Sequence, residues 1–216
     1  MSLIVLLIGF LLLIYSIILH EIAHGLIAER LGDPTARISG RLTLNPIPHI
    51  DPLMSILFPL ILILSGSPVV FGAAKPIPID PFNLREPRKD MGLVGLAGPA
   101  TNFLLGAIAA IVLKLLFSSI TPSSFALEEQ VLYLIIRNFV YYNFLLAAFN
   151  LLPIPPLDGS RILAAVIPEE YARVLDSLEH FGFFILFFLL MFPIGGFSLG
   201  GIIASLVNSW FRFFGV

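Results

Sequence analysis

The chain has 216 residues, 58% of them hydrophobic and only 12% charged, with a net charge of −2 and a mean hydropathy of +1.00. A soluble domain carries about 25% charged residues, so this composition excludes a disordered chain, argues against a soluble globular protein and offers no basic surface for nucleic acid. There is no cysteine, which excludes disulfides and thiolate metal sites.

The first apolar stretch runs from Leu3 to about Ala28. It has no basic n-region and no small-residue cleavage site, so it reads as a retained membrane helix rather than a removable signal peptide. About 19 mostly apolar residues, roughly 28 Å of helix at 1.5 Å per residue, lead to His20-Glu21-Ile22-Ala23-His24. Residues four apart on a helix share one face, so both imidazoles can reach one ion, and Glu21 lies beside that face, where a carboxylate can take a proton from water. Ionisable groups at membrane depth are costly and usually functional.

Further apolar stretches follow, judged against the roughly 20 residues a span needs. The second, Leu53–Phe71, is interrupted by Pro59, Gly66 and Pro68. The third is Met91–Phe117, with only Lys114 charged, and the fourth is Val131–Leu152. A fifth covers Phe181–Phe192, preceded by the amphipathic stretch Glu169–His180. The last, Leu199–Phe214, follows a Pro193-Ile194-Gly195-Gly196 break, and its Trp210, Phe211, Arg212, Phe213 and Phe214 read as an interfacial anchor. The expected fold is an all-α polytopic membrane protein of five to six membrane segments, forming a single domain over 1–216. Arg30, Arg37 and Arg41 lie before the second stretch, and Lys75, Arg85, Arg88 and Lys89 after it. Basic loops favour the cytoplasm. A re-entrant second stretch puts all of these loops on the cytoplasmic side and Ser118–Gln130 outside, whereas a true span would put them on opposite sides. Two short strands are expected beside the membrane, Gly40–Pro46 and Ala74–Asp80, the latter confined to an edge by Pro76 and Pro78. An exposed edge there would accept an extended peptide by strand addition; the ordinary alternative is a plain proline-rich connection.

Two histidines do not complete a catalytic zinc site, which needs three protein ligands and an open position. Asp158 is the foremost candidate for the third. It follows the fourth apolar stretch in Asn150-Leu151-Leu152-Pro153-Ile154-Pro155-Pro156-Leu157-Asp158-Gly159, where three prolines break the helix. Its ordinary alternative is to cap a helix beginning near Ser160. A second polar break, Gly98-Pro99-Ala100-Thr101-Asn102, implies a kink or close helix contact. Asn102 could hold the oxyanion of a tetrahedral intermediate or make an interhelical hydrogen bond, the more ordinary role. His49 could approach the metal and orient or occlude its ligands, or be a plain loop histidine.

His20-Glu21-x-x-His24, then Gly98-Pro99-x-x-Asn102, then Asn150-x-x-Pro153-x-x-Pro156-Leu157-Asp158-Gly159, in this order on hydrophobic segments, resemble the site-2 protease family of intramembrane zinc metalloproteases. The likeness extends over nearly the whole chain and is closest to the short prokaryotic type without a PDZ or nucleotide-sensing domain. It implies Zn²⁺ held by His20, His24 and Asp158, Glu21 as general base, and Asn102 and Asn150 as groups that bind the substrate backbone or stabilise the intermediate. It also implies transmembrane-helix proteins as substrates and an active site toward the cytoplasmic side of a prokaryotic cell membrane. Two rival readings are a catalytically inactive membrane scaffold and a divalent-metal transporter. Neither requires Glu21 beside the histidines.

Overall fold

A computed structural model describes residues 3–66, 72–117, 126–193, 195–196 and 198–216. Most of the expected outer loop, with Pro68 and Ile194, lies outside the described residues. Helix α1 (Leu3–Leu31) has no proline and buries Ser16, His20, His24 and Ala28, four residues apart along one stripe. It stops at Gly32, whose φ of +119° suits glycine and where a Cβ would stand 2.8 Å from the Asn83 carbonyl. A short helix α2 (Thr35–Ile38) follows.

The second apolar stretch forms a π-helical turn, Pro52–Leu57, that runs into α3 (Phe58–Leu64). Together they are shorter than the roughly 20 residues a span needs. The chain then comes back on itself: Ala73 N–H donates to the Met54 carbonyl at 3.1 Å, and Ser55 Oγ donates to the Ala73 carbonyl at 2.7 Å.

Helix α4 (Pro87–Phe117) is the hub and packs against α1, α5 (Leu127–Asn150), α6 (Asp158–Val166) and α9 (Leu199–Phe214). Small residues make this sharing feasible. A Cβ at Gly92 would meet Ala165 of α6 at 2.4 Å, and one at Gly106 would meet the Phe144 ring of α5 at 2.6 Å. Helix α7 (Glu169–Leu178) runs through a 3₁₀ turn, Glu179–Phe181, into α8 (Gly182–Met191). On the α5 side Val140, Phe144 and Ala148 form a core with Leu186 of α8 and Ile203 and Val207 of α9.

Among the described residues, four helical stretches are long and apolar enough to cross a membrane: Leu3–Leu31, Pro87–Phe117, Leu127–Asn150 and Glu169–Met191. Their outer faces carry large exposed apolar side chains such as Leu3, Phe10, Leu115 and Phe184, a surface suited to lipid and not to water. Two shorter apolar helices, Pro52–Leu64 and Leu199–Phe214, accompany these four candidate spans.

The two expected strands are absent among the described residues. Residues 40–46 form turns and irregular chain. Residues 74–80 are extended, but Pro76 and Pro78 lack ladder donors. Several of the remaining backbone groups bond to side chains and single loop atoms. Lys75 N–H donates to the His49 carbonyl, Arg41 Nη2 donates to the carbonyls of Lys75 and Pro76, and Asp80 N–H donates to Asp33. An alternating pattern that reads as a strand is here a strap tied down residue by residue.

Candidate metal centre

Three elements converge on one buried point. His20 and His24 project from one face of α1. Asp158 is the first residue of α6, following the bend at 151–157 that folds α6 back against the end of α5. Gly159 makes that fold-back feasible, because a Cβ there would stand 2.3 Å from the Leu152 carbonyl. His20 Nε2 lies 3.0 Å from His24 Nε2, and Asp158 Oδ2 lies 3.1 and 3.3 Å from the two nitrogens. All three residues are buried, at 6%, 5% and 8% exposure. Helix α6 takes Leu157 as its N-cap residue, which leaves the Asp158 carboxylate to face the histidines.

The protonation pattern follows from the outer partners. Asn102 Nδ2 donates to the Ser16 carbonyl at 3.2 Å, and a backbone carbonyl only accepts. Asn102 therefore turns its oxygen to His20 Nδ1, 2.6 Å away, and that nitrogen carries a proton. His24 Nδ1 faces the Val94 carbonyl at 2.6 Å and is a donor for the same reason. In the neutral rings both Nε2 atoms then present lone pairs, and they face each other and a carboxylate oxygen. Asp158 Oδ2 has no hydrogen-bond donor. Three buried acceptors packed this closely repel one another unless a cation sits among them. Ligands about 2.0–2.1 Å from a tetrahedral centre stand roughly 3.3 Å apart, close to the spacing found. The donor set, two imidazoles and one carboxylate, is that of a catalytic zinc site with one position open.

Helix α4 seals the side of this centre. A Cβ at Gly98 would stand 2.4 Å from His24 Nε2 and 2.5 Å from His20 Cε1, so only glycine lets α4 lie against both rings. The glycine-proline break is thus a contact surface for the imidazoles.

The other residues singled out from the sequence are placed as follows. Glu21, half-buried, accepts the Ile77 N–H through Oε2 at 2.9 Å, and no hydrogen bond among the described residues engages Oε1. Asn102 is fully buried, with its oxygen on His20 and its NH₂ on Ser16 and Asn143. With both ends engaged it serves the histidine and has no group left for an oxyanion. Asn150 is half-buried and donates to the Leu146 carbonyl of its own helix at 3.1 Å. His49 is buried in the 41–52 loop, with Nε2 donating to the Thr43 carbonyl at 2.9 Å. It makes no hydrogen bond to the three converging residues.

Sequence reasoning passed over Ser16 and Asn143. Asn143 donates to Ser16 Oγ at 3.0 Å and to the Phe139 carbonyl at 2.9 Å, and accepts from Asn102 through its oxygen. The signal was present: Ser16 lies one helical turn before His20 on the same face, and Asn143 is a polar residue in an apolar helix.

The comparisons with known proteins agree with this geometry. The model of peptidase family M50 matches residues 8–193. The chain belongs to peptidase family M50. It is a metalloprotease of the site-2 type, and with its apolar helices an integral membrane protein. It is 36% identical over 191 residues to YwhC of Bacillus subtilis (strain 168), covering 87% of this chain and 81% of that protein. It is 30% identical over 201 residues to Rip2 of Mycobacterium tuberculosis (strain ATCC 25618 / H37Rv), covering 93% and 68%. It is 32% identical over 201 residues to Rip2 of Mycolicibacterium smegmatis, covering 93% and 71%. All three carry the name "putative zinc metalloprotease". No solved structure matches the chain significantly.

Proposed function

We propose that this M50 peptidase is an intramembrane zinc endopeptidase that cuts transmembrane helices of other membrane proteins, with His20, His24 and Asp158 as ligands and Glu21 as general base. The observation that carries the reading is the triangle of two unprotonated imidazole nitrogens and a carboxylate oxygen, 3.0–3.3 Å on edge, with no proton donor inside it. Zinc bound there lowers the pKa of water toward neutrality and polarises a carbonyl.

The chain's own residues supply the remainder. Glu21 takes a proton from the attacking water and returns it to the leaving amine as the C–N bond breaks. Ile77 N–H, bonded to Oε2, holds that carboxylate in one orientation and leaves Oε1 for the proton. Asn102 holds the tautomer of His20, and the Val94 carbonyl that of His24. Such outer partners are typically worth 10–100-fold in metal affinity or activity. Asn150, at the end of α5 beside the bend, would meet backbone groups of an unwound substrate through its amide oxygen, because its NH₂ donates to the Leu146 carbonyl. A substrate helix must unwind first, because its carbonyls are engaged in intrahelical bonds.

The basic residues after α1 and before α4 favour the cytoplasmic side for this end of the helices. Pro52–Leu64, with the return of residue 73 to Met54, supports a re-entrant segment on that side. Backbone of this kind is tolerated at membrane depth where protein or a cavity covers it.

Cleavage of a reconstituted transmembrane substrate by wild type and Glu21→Gln, each with its zinc measured, tests the reading. Glu21→Gln should retain zinc and lose cleavage by at least about a hundredfold, in the range of a lost general base, and a chelator should abolish the wild-type activity. Unchanged cleavage by Glu21→Gln would overturn it. Zinc flux through liposomes without cleavage would favour transport.

A further inference from the structure

A second cluster of cationic and polar side chains lies where α5 meets α9. Helices α5 and α9 border an open depression of about 460 Å³ lined by Arg137, Tyr141, Asn208, Phe211, Arg212 and Val216. Both arginines are exposed. Arg137 stands near the middle of α5, about 15 Å from Leu127 and about 20 Å from Asn150 at 1.5 Å per residue. A charge at that depth is expensive without a partner.

Among the described residues neither arginine has a carboxylate partner. No ion pair involves Arg137 or Arg212 among the described residues, whereas Arg37, Lys89, Arg161 and Arg173 are each paired. The residues outside the described set include no Asp or Glu. The nearest acids along α5, Glu128 and Glu129, precede Arg137 by about 12 Å or more at 1.5 Å per residue. What Arg137 does have is the Phe211 ring, 5.8 Å from its guanidinium carbon. That contact orients the cation without neutralising it.

The surroundings narrow the ligand. Two guanidinium groups, a Tyr hydroxyl and an Asn amide are a donor set for a phosphate oxyanion, and arginine favours phosphate through its planar fork. The flanking surface is apolar: Leu132 and Tyr141 on α5 and Ile202, Leu206 and Phe213 on α9 are all exposed. Phe214, beside Arg212, is bonded through its carbonyl to Lys114 at 3.1 Å. Lys114 lies in the last turn of α4, the end remote from the metal centre. The end of α9 therefore points toward the membrane boundary opposite that centre, while Arg137 lies deeper, at a depth from which an arginine side chain leans toward the interface.

We propose that Arg137, Arg212, Tyr141 and Asn208 bind the phosphate of an anionic phospholipid in the leaflet remote from the metal centre. The bound lipid supplies a counter-charge to the two arginines and ties α9 to α5 across the bundle.

Trp210 is the chain's single tryptophan and neighbours the lining residue Phe211, so it reports on nearby lipid. The full chain would be reconstituted in phosphatidylcholine bilayers with a minor share of dibrominated phosphatidylglycerol or dibrominated phosphatidylcholine, and Trp210 quenching compared. At about fivefold preference per arginine near an anionic headgroup, the glycerol lipid should quench with an apparent association at least about fivefold above that of the choline lipid. The excess should vanish in Arg137→Gln/Arg212→Gln and persist in Arg137→Lys/Arg212→Lys, both checked for wild-type helicity. Equal quenching of the wild type by the two lipids would overturn the proposal, as would an undiminished excess in the double Gln variant. Loss of the wild-type excess on adding millimolar inorganic phosphate would reassign the pocket to soluble phosphate and overturn the lipid assignment.

Discussion

Gly98→Ala probes the metal centre from outside its ligand set. Alanine normally strengthens a helix interior by about 0.8–1 kcal/mol relative to glycine, so on α4 alone the change should stabilise. Here the added Cβ would lie 2.4 Å from His24 Nε2 and 2.6 Å from His20 Nε2, whereas ordinary contacts begin at 3.4 Å. The rings or the helices must therefore separate by about 1 Å, the difference between 3.4 and 2.4 Å. Metal–ligand distances tolerate only about ±0.2 Å, and Asn102 and Val94 hold the rings from behind. We expect zinc affinity to fall at least about a hundredfold, about 2.7 kcal/mol, while overpacking costs the fold about 1–3 kcal/mol. Competition with a chromogenic zinc chelator measures the first, and circular dichroism with thermal unfolding the second. Gly200→Ala is the control, because nothing lies within 4 Å of a Cβ there, and it should leave both unchanged or slightly improved. Zinc affinity of Gly98→Ala within about threefold of wild type, a gap of only about 0.7 kcal/mol, would refute the packing of α4 against the histidines.

Two further predictions concern the supports of the site. Asn102→Ala should lower zinc affinity by about 10–100-fold and Asn143→Ala by less, because Asn143 acts only through Asn102; equal or absent effects in chelator competition would contradict the relay. Asp33 ties the end of α1 to the strap, accepting from Asp80 N–H at 2.8 Å, Asn83 Nδ2 at 3.0 Å and the Thr35 N–H and hydroxyl. Burial raises its pKa, but the bonds from Thr35, Asn83 and Asp80 together outweigh it, so the carboxyl titrates below the ordinary Asp value. A lowered folded pKa means its contribution is present above the unfolded value of about 3.9 and is lost as pH falls through the folded one. Asp33→Ala should then cost about 1–3 kcal/mol at neutral pH, with the gap to wild type closing below about pH 4 in unfolding midpoints followed against pH.

Much of this arrangement was legible in the chain because its chemistry is written in residue types rare in an apolar sequence. His20, His24 and Asp158 stand out for that reason, and the prolines before Asp158 announce the bend that carries it to α1. Orientation was not legible. Asn102 sits at a helix break and reads equally as a substrate contact or an interhelical bond; only the Ser16 carbonyl behind it decides which end of the amide faces His20. Nor could spacing show that Gly98 faces two imidazoles. The 74–80 segment misleads because alternation and β-branched residues mark extended chain without saying what pairs with it. There the partners are Arg41, Glu21 and Asp33. Leu53–Phe71 was long enough on paper, but its helix ends at Leu64 and residue 73 is already back beside Met54.

The central claim is that two residues of α1 and one of α6 hold a single zinc ion. The direct measurement is zinc content, by mass spectrometry of the purified chain, for wild type and for His20→Ala, His24→Ala and Asp158→Ala with matched helicity. The account predicts about one zinc per wild-type chain, the occupancy of a single three-ligand site, and near-complete loss in each variant. A full equivalent of zinc retained at wild-type affinity by any of the three variants would contradict it.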